Sequence, residues 1–439
     1  VAGRRLPRAL TPFRHPAYRR LAVALTLSTF ASGVWLVALV WEVIRLGGGP
    51  AQLSVVSTAS AVGVLLPALL GGVVADRIPQ KLILLVVASV ELSGMALVAT
   101  LSLTDHTAIW HLAAVSFVTG MGMAFYYPAY SAWLPALVPE SDLLAVNGFE
   151  GMVRPAVGQA IGPAIAGAVV GAASPGAAVT VAAASSLLGL VALATVPRTP
   201  VRRDFSSEGE PKHPIVSALG DVREGFAFMV RTPWLLSTLL FASLMILVVM
   251  GPFEVLIPFL IKDRLGGGPD DHAMVLAAFG IGAAVGSLAM ASFRLPRRYL
   301  TVMNLMWGVG CLPFLVIGFA SAVWQVVAAA FVIGVIFDAA MVIWGTLLQR
   351  RVPAHMLGRV ASLDFFVSVS LMPVSMAVAG PVSGAIGLRA TFTIAAVAPV
   401  LFAVVAVLWA KLPQDELAHP LRDPEPVADV DEPAEVVPA

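Results

Sequence analysis

Long apolar runs broken by short polar punctuation set the pattern of this chain. Between Arg154 and Arg198 lie 43 consecutive residues without Asp, Glu, Lys or Arg, and between Arg298 and Asp338 another 39. At ~1.5 Å per helical residue, about 20 residues cross ~30 Å of hydrocarbon, so each run spans a bilayer about twice. The turn Ser174-Pro175-Gly176 divides the first run. The same ruler predicts twelve segments near 19–46, 51–75, 81–103, 108–136, 143–173, 177–197, 233–262, 271–293, 299–320, 322–349, 357–387 and 389–411. Lipid offers no partner to open backbone groups, so all should be helices, making an all-α membrane protein with twelve transmembrane helices. The first segment is too long for a secretory h-region and lacks a small-residue cleavage site, so it is expected to remain as an anchor.

Composition agrees: 59% of residues are apolar and 12% charged, against about 45–50% and about 25% in soluble domains. Charge placement adds orientation. With the N-terminus inside, 22 of the 27 Lys and Arg fall on the inner side, while Arg45, Lys262, Arg264 and Arg389 fall outside and Arg154 within a helix. That bias puts both termini in the cytoplasm. Arg outnumbers Lys 23 to 4 beside abundant Ala, Val and Gly, a composition common in GC-rich bacterial genomes, so the expected location is a bacterial cytoplasmic (inner) membrane. The lone Cys311 excludes an intrachain disulfide. No G-x-x-x-x-G-K-[ST] loop is present, which removes ATP as the expected energy source, and scattered histidines give no metal constellation. No helical nucleophile and base stand at workable spacing. The chain is therefore expected not to be an enzyme, and to use no cofactor, no metal and no nucleic-acid partner.

The string RLGGGP occurs at Arg45–Pro50 and again at Arg264–Pro269. Sliding the chain by 214 positions matches Trp110 with Trp324, Phe117 with Phe331, Gly120 with Gly334 and Pro139 with Pro353; the Gly-Pro pairs at 162 and 380 match at 218. The chain thus reads as two parallel, pseudo-symmetric six-helix bundles, 19–197 and 233–411, and the hexapeptide as one outer turn seen twice. Glycine allows the reversal there and proline starts the next helix. Residues 1–18 form a cytoplasmic N-terminus, 198–232 a basic cytoplasmic linker, and 412–439 an acidic, proline-rich tail expected to be disordered.

With these features the sequence resembles the major facilitator superfamily over residues 15–411, a family whose two parallel six-helix halves are a standard example of such repeats. The stretch GGVVADRIPQK at 71–81 is similar to the family's loop between helices 2 and 3, although Pro79 and Gln80 depart from its usual glycine and basic residue. The resemblance implies a cytoplasmic charge latch of Asp76, Arg77 and Lys81; Asp76 can equally stabilise a nearby helix N-terminus. GQAIGPAIAG at 158–167 resembles the helix 5 pattern of exporting antiporters, with Gly158, Gly162, Pro163 and Gly167 in register and Ala166 at a glycine position. Small residues every fourth position permit close backbone approach, and the proline favours a bend. The resemblance implies that this helix packs across the halves against helix 8, at Gly282 and Gly286. Ordinary helix packing is the alternative. YYPAYSAWLPALVPESDLLAVN at 126–147 is similar to the branch holding drug/proton antiporters and siderophore exporters.

A charge at the bilayer centre costs roughly 2.5–3.5 kcal/mol and needs a partner, water or a task. Glu91, Glu150, Arg154, Glu254, Asp338 and Asp364 are the candidates for proton or cation coupling. Glu150 and Arg154 share a helix face at i,i+4, and Asp364 is the repeat counterpart of Glu150; an acid-base network and a fixed neutralising pair are both open. Asp338 has Ala124 as its counterpart, so symmetry does not require it. The resemblance places it and Glu254 on cavity-lining helices, where a carboxyl in partly dry surroundings can exchange a proton near neutral pH. Tyr126, Tyr127 and Tyr130, with Met341 and Trp344 opposite in the repeat, and Trp35 and Phe253, are candidate substrate contacts because aromatic and thioether surfaces accept varied apolar or cationic ligands. Packing or lipid-facing roles are the alternative for each. The expected function is a monomeric secondary exporter using alternating access and proton antiport to move amphiphilic or cationic small molecules such as drugs. Alternatives are a siderophore or metabolite exporter, or a non-transporting membrane receptor or scaffold.

Overall fold

The computed structural model describes residues 8–68, 74, 78–199, 214–293, 295–353 and 356–421, and all regular structure among them is helical. The first half comprises α1 (Pro16–Arg45), α2 (Pro50–Leu65), α3 (Gln80–Leu103), α4 (Ile109–Leu137), α5 (Glu140–Val153, continued by Arg154–Ile161 and Gly162–Ala172) and α6 (Pro175–Ala194). The second comprises α7 (Pro233–Gly251, continued to Arg264), α8 (Pro269–Ser292), α9 (Tyr299–Val309 and Pro313–Phe319), α10 (Val323–Arg351), α11 (Leu357–Ser370 and Met372–Ile386) and α12 (Leu388–Trp409). Among the described residues, eleven are long and apolar enough to cross a membrane; α2 has 16 residues, and from position 69 most of the chain up to 77 lies outside the described set. Large apolar side chains such as Val86, Leu97, Leu188, Leu401 and Leu408 are exposed around the rim, the surface a bilayer covers in this multi-pass protein.

The repeated hexapeptide occupies equivalent places. Gly47 (φ 74°) and Gly266 (φ 67°) take the left-handed conformation that favours glycine. Two residues later, the Gly49 N–H donates to Gln52 Oε1 at 2.9 Å and the Gly268 N–H to Asp271 Oδ2 at 2.8 Å, satisfying donors left open at a helix start. Pro50 and Pro269 open α2 and α8. Even the arginines do matching work, each reaching the end of the third helix of its own half. Arg45 donates to Asp105 Oδ1 at 2.8 Å, and Arg264 to the Gly318 carbonyl at 2.6 Å.

Close crossings repeat as well. A Cβ on Gly63 would overlap the Phe117 carbonyl and one on Gly120 the Ser60 carbonyl, so α2 and α4 touch backbone to backbone. Gly282 and Gly334 make the same crossing between α8 and α10, against the Phe331 and Phe279 carbonyls. In lipid, where burial of apolar surface gives little net drive, such approach maximises dispersion contact.

Two polar segments depart from a plain reading of their composition. The linker contains a helix, Pro214–Arg231. The tail, expected to be disordered from 412, begins with a helix, Leu412–Ala418, in which Glu416 is buried. Its carboxylate accepts the Leu300 N–H at 2.9 Å and the Thr301 N–H at 3.1 Å. An acid that caps the open N–H groups of another helix is stabilised there, which counting acids along a tail does not reveal.

Candidate functional site

The matched acids of the two halves lie 20 residues beyond matched aromatic donors. Tyr130 donates its hydroxyl to Glu150 Oε1 at 2.7 Å, and Trp344 its indole N–H to Asp364 Oδ2 at 3.1 Å. Adding 214 to one pair gives the other. Around this shared core the halves differ. Arg154 stands 3.6 Å from Glu150, donates to the Tyr127 hydroxyl at 2.8 Å and lies over that ring at 4.7 Å from its centroid. Among the described residues, Asp364 receives only a second neutral donor, Ser368 Oγ at 3.3 Å.

These bonds bear on the aromatic candidates. Tyr130 is 2% exposed and Trp344 5%, and both donate to carboxylates, so in this conformation these two candidate substrate contacts are hydrogen-bonded to acids instead. Trp344 also packs on Trp234 and Trp307, with ring centroids 6.2 and 6.3 Å away. Tyr126 stacks on Tyr130 at 5.7 Å. Tyr127 and Met341 remain exposed. Trp35 is half-buried against the core, and Phe253 is half-buried against Phe279 and Phe314.

Asp338 and Glu254 are different again. Both are half-buried, and among the described residues neither has a hydrogen-bonding or ion-pairing partner. Glu254 sits in a π-helical stretch, Pro252–Leu256. A second such stretch, Arg154–Ile161, carries Arg154 in α5. Prolines 155, 163, 252 and 258 lack the N–H that would bond the preceding turn, and widened turns of this kind mark functional sites in many helices. Glu91, on α3, lines a small cavity with Tyr126 and Tyr130.

The helix 5 motif serves two neighbours rather than one. Gly158 and Gly162 face α1 in their own half: a Cβ on Gly33 would overlap the Gly158 carbonyl, and one on Gly162 would lie 2.9 Å from the Gly33 Cα. Gly167 faces α8 across the halves, where its Cβ would come 2.8 Å from Ala273 Cβ and 3.0 Å from the Pro269 carbonyl. Gly280, not Gly282 or Gly286, meets α5 from the other side, at Gln159. Positions 158 and 162 lie on one side of α5 and 159 and 167 on another, so small-residue spacing alone identifies faces but not partners.

This assigns the hexapeptides a second task that sequence reasoning missed. Gly380 of α11 rests on Pro50 and Ala51, its N–H donating to Ser54 Oγ at 3.1 Å; Gly167 of α5 rests on Pro269 and Asp270. The start of α2 and the start of α8 are thus the two seats of a seam joining the halves at the end that carries the RLGGGP turns. The repeated proline and the Gly-Pro pair at 380 were the available signal.

Of the expected latch, Asp76 and Arg77 lie outside the described residues. Lys81 does not reach toward the other half: its ammonium donates to the Ala194 carbonyl at 2.8 Å and the Val196 carbonyl at 2.5 Å. A cation is favourable at these carbonyls, which the end of α6 leaves open.

The sequence model of a family described as "Transmembrane secretion effector" matches residues 8–434. The chain is similar to the multidrug efflux pump Tap of Mycolicibacterium fortuitum, 25% identical over 92% of this chain and 98% of that protein, and to Tap of Mycobacterium tuberculosis, 26% identical over 96% and 98%. Macrolide efflux protein A of Streptococcus pyogenes is 24% identical over 80% of this chain and 86% of its own. Among solved structures, the nucleoside transporter NupG aligns with TM-score 0.65 at 14% identity, over 92% of this chain and 99% of NupG. A bacterial homologue of the human lysosomal transporter Spinster, inward-facing and unoccupied, aligns with TM-score 0.64 at 16% identity, over 94% and 100%. These two likenesses speak to the fold alone.

Proposed function

The chain belongs to the transmembrane secretion effector family within the major facilitator superfamily, and from that premise we propose that it is a proton-coupled exporter of amphiphilic or cationic small molecules, working by alternating access in the bacterial cytoplasmic membrane. Bundles 19–197 and 233–411 rock about the α5–α8 and α11–α2 contacts. With both termini cytoplasmic, as the Lys and Arg asymmetry favours, the Pro50–Gly380 and Pro269–Gly167 seam closes the outer face. The described conformation is then the one open to the cytoplasm.

The observation that carries the reading is the state of the second half's acids: Asp338 and Glu254 have no partner among the described residues. A carboxylate in a partly dry cavity favours a cation or a proton, and the two compete. Proton entry from outside therefore releases a bound lipophilic cation outward, and loss of that proton to the cytoplasm restores the site. One proton gains ~2.3 kcal/mol per 100 mV, enough for about fifty-fold concentration at full coupling. Exposed Tyr127 and Met341 offer the aromatic and thioether surface such a ligand needs.

The test is accumulation of tetraphenylphosphonium, and separately of a macrolide, in inverted membrane vesicles with an imposed pH gradient. Accumulation that collapses when nigericin dissipates the gradient is expected. Accumulation indifferent to nigericin overturns the coupling.

A further inference from the structure

Beside the acids of the proposed coupling site, the first half holds a carboxyl that the exchange cycle above does not use. Glu91 lies midway along α3, which packs between α4 and α6. Among the described residues it has no hydrogen-bond or ion-pair partner. It is half-buried and lines a cavity of about 20 Å³ whose wall includes Ser28, Ala88, Tyr126, Tyr130 and Leu193. A site of ~10–15 Å³ holds one water if two to four polar groups surround it. Glu91, Ser28, Tyr126 and Tyr130 supply polar groups here, and aliphatic side chains supply most of the remaining wall.

One wall of this cavity leads onward. The Tyr130 hydroxyl donates to Glu150 at 2.7 Å, which leaves lone pairs on its oxygen free to accept, since a phenol both donates and accepts. Tyr126 stacks on Tyr130 with planes 12° apart and holds the ring in place. Glu150 in turn lies 3.6 Å from Arg154, which bonds the exposed Tyr127. The groups facing Glu91 from its neighbours are Ser28 of α1 and Tyr126 and Tyr130 of α4, with Leu193 from α6; Glu150 and Arg154 lie behind the tyrosines, and Tyr18 of α1 lies within coulombic range of Glu150.

We propose that Glu91 is a proton-holding residue of the first half, joined to Glu150 through one water and the Tyr130 hydroxyl, so that a proton passes between this small cavity and the acid next to the open cleft. In the forward step the O–H bond of the Glu91 carboxyl breaks and its proton goes to the water. The water gives a proton to the Tyr130 oxygen, and the phenol gives its own to the Glu150 carboxylate, where the new O–H bond forms. Water and phenol each lose one proton and gain one, so only the two carboxyls change state. Rotation of the phenol O–H resets the path.

This inference rests on the proton-coupled reading, and its test separates the two. In proteoliposomes of the full chain, tetraphenylphosphonium transport is measured in two modes: net transport driven by a pH gradient, and counterflow exchange of labelled for unlabelled probe, which needs no net proton transfer. The ratio of driven to exchange rate is expected to fall about tenfold in Glu91→Gln and in Tyr130→Phe, less than the roughly hundredfold or more of a proton-transfer group at the reacting centre, because the relay only supplies the coupling acid. In Tyr126→Phe, which keeps the ring stack, it should fall less than about threefold, and Glu91→Asp should recover part of the Gln loss. Wild-type transport indifferent to the gradient would sink the coupled reading and this one with it. Gradient-driven wild-type transport with unchanged ratios in Glu91→Gln and Tyr130→Phe overturns the relay alone, as does an equal loss of both modes, which marks a merely structural residue. A Tyr126→Phe loss as large as that of Tyr130→Phe overturns the route through Tyr130.

Discussion

The two halves place equivalent carboxylates on equivalent aromatic donors and then treat them differently. In the first half Glu150 has Tyr130 and a cation, Arg154; in the second, Asp364 has Trp344 and Ser368 and, among the described residues, no cation. Asp338 widens the contrast, because the repeat places Ala124 opposite it. Duplication accounts for two matched bodies, but symmetric bodies do not by themselves couple one ion to one substrate. Asp338 and Glu254, without a partner among the described residues, are where such coupling is proposed to act, whereas Glu150 of the first half is held by Tyr130 and Arg154.

The largest expected effect tests that assignment. Asp338→Asn should lower gradient-driven tetraphenylphosphonium transport about a hundredfold, the scale of losing an essential proton-exchanging group. Glu150→Gln should lower it about tenfold, because this acid only feeds or drains the route. Measured side by side in inverted vesicles, a larger loss from Glu150→Gln than from Asp338→Asn would move the coupling into the first half and reverse the comparison.

A second contrast lies in the seam. The three atoms nearest a Cβ on Gly380 would all be backbone, the Ala51 nitrogen and the Pro50 carbonyl carbon and oxygen, each at 2.8 Å. On Gly167 the nearest atom is a side chain, Ala273 Cβ at 2.8 Å, with backbone at 3.0 and 3.1 Å. Helix backbones yield less readily than side chains, so Gly380→Ala should open the seam more than Gly167→Ala. Overpacking of about 2 kcal/mol shifts the closed population roughly thirtyfold. Labelling of a Ser54→Cys reporter by an impermeant maleimide from the outer face should rise by that order in Gly380→Ala and by less in Gly167→Ala. Equal labelling in the two would show that the seats are interchangeable.

Both contrasts are partly legible in the amino-acid order alone. The repeat offset of 214 predicts that Glu150 and Asp364, and Tyr130 and Trp344, occupy matched positions, and a constant spacing of 20 carries each aromatic onto its acid. What the offset does not convey is direction. The glycines of α5 are legible as smooth faces, yet whether Gly158 meets α1 or α8 depends on how the helices are arranged around it, which helical periodicity does not encode. Burial is misjudged for the same reason. Tyr130 looks like a ligand surface because tyrosine is amphipathic, while its hydroxyl is spent on Glu150. Glu416 looks like one more solvated acid in a tail of acids, while it caps α9.

The smallest expected effect concerns how each half holds the segment leaving its sixth helix. In the first half single donors suffice: Lys81 on the Ala194 and Val196 carbonyls, Arg20 on the Thr195 carbonyl at 2.7 Å, and the Trp133 indole on Thr199 Oγ1 at 2.8 Å. In the second the hold is ionic and more buried. Arg351, 8% exposed, takes both oxygens of Asp415 and lies over the Trp234 ring at 4.8 Å from its centroid, while Glu416 caps α9 beside it. Truncating a buried member of a bidentate pair leaves a carboxylate short of its charge partner, whereas carbonyls freed by Lys81→Ala can turn to water. Arg351→Ala should therefore destabilise the protein by about 1–2 kcal/mol, discounted because Asp415 is partly exposed, and Lys81→Ala by about 0.5 kcal/mol, the scale of a cation at a helix C-terminus. Thermal unfolding in detergent orders the two variants. If Lys81→Ala proves the more damaging, the end of α6 is the firmer anchor and the ionic clasp on α9 and α10 contributes little.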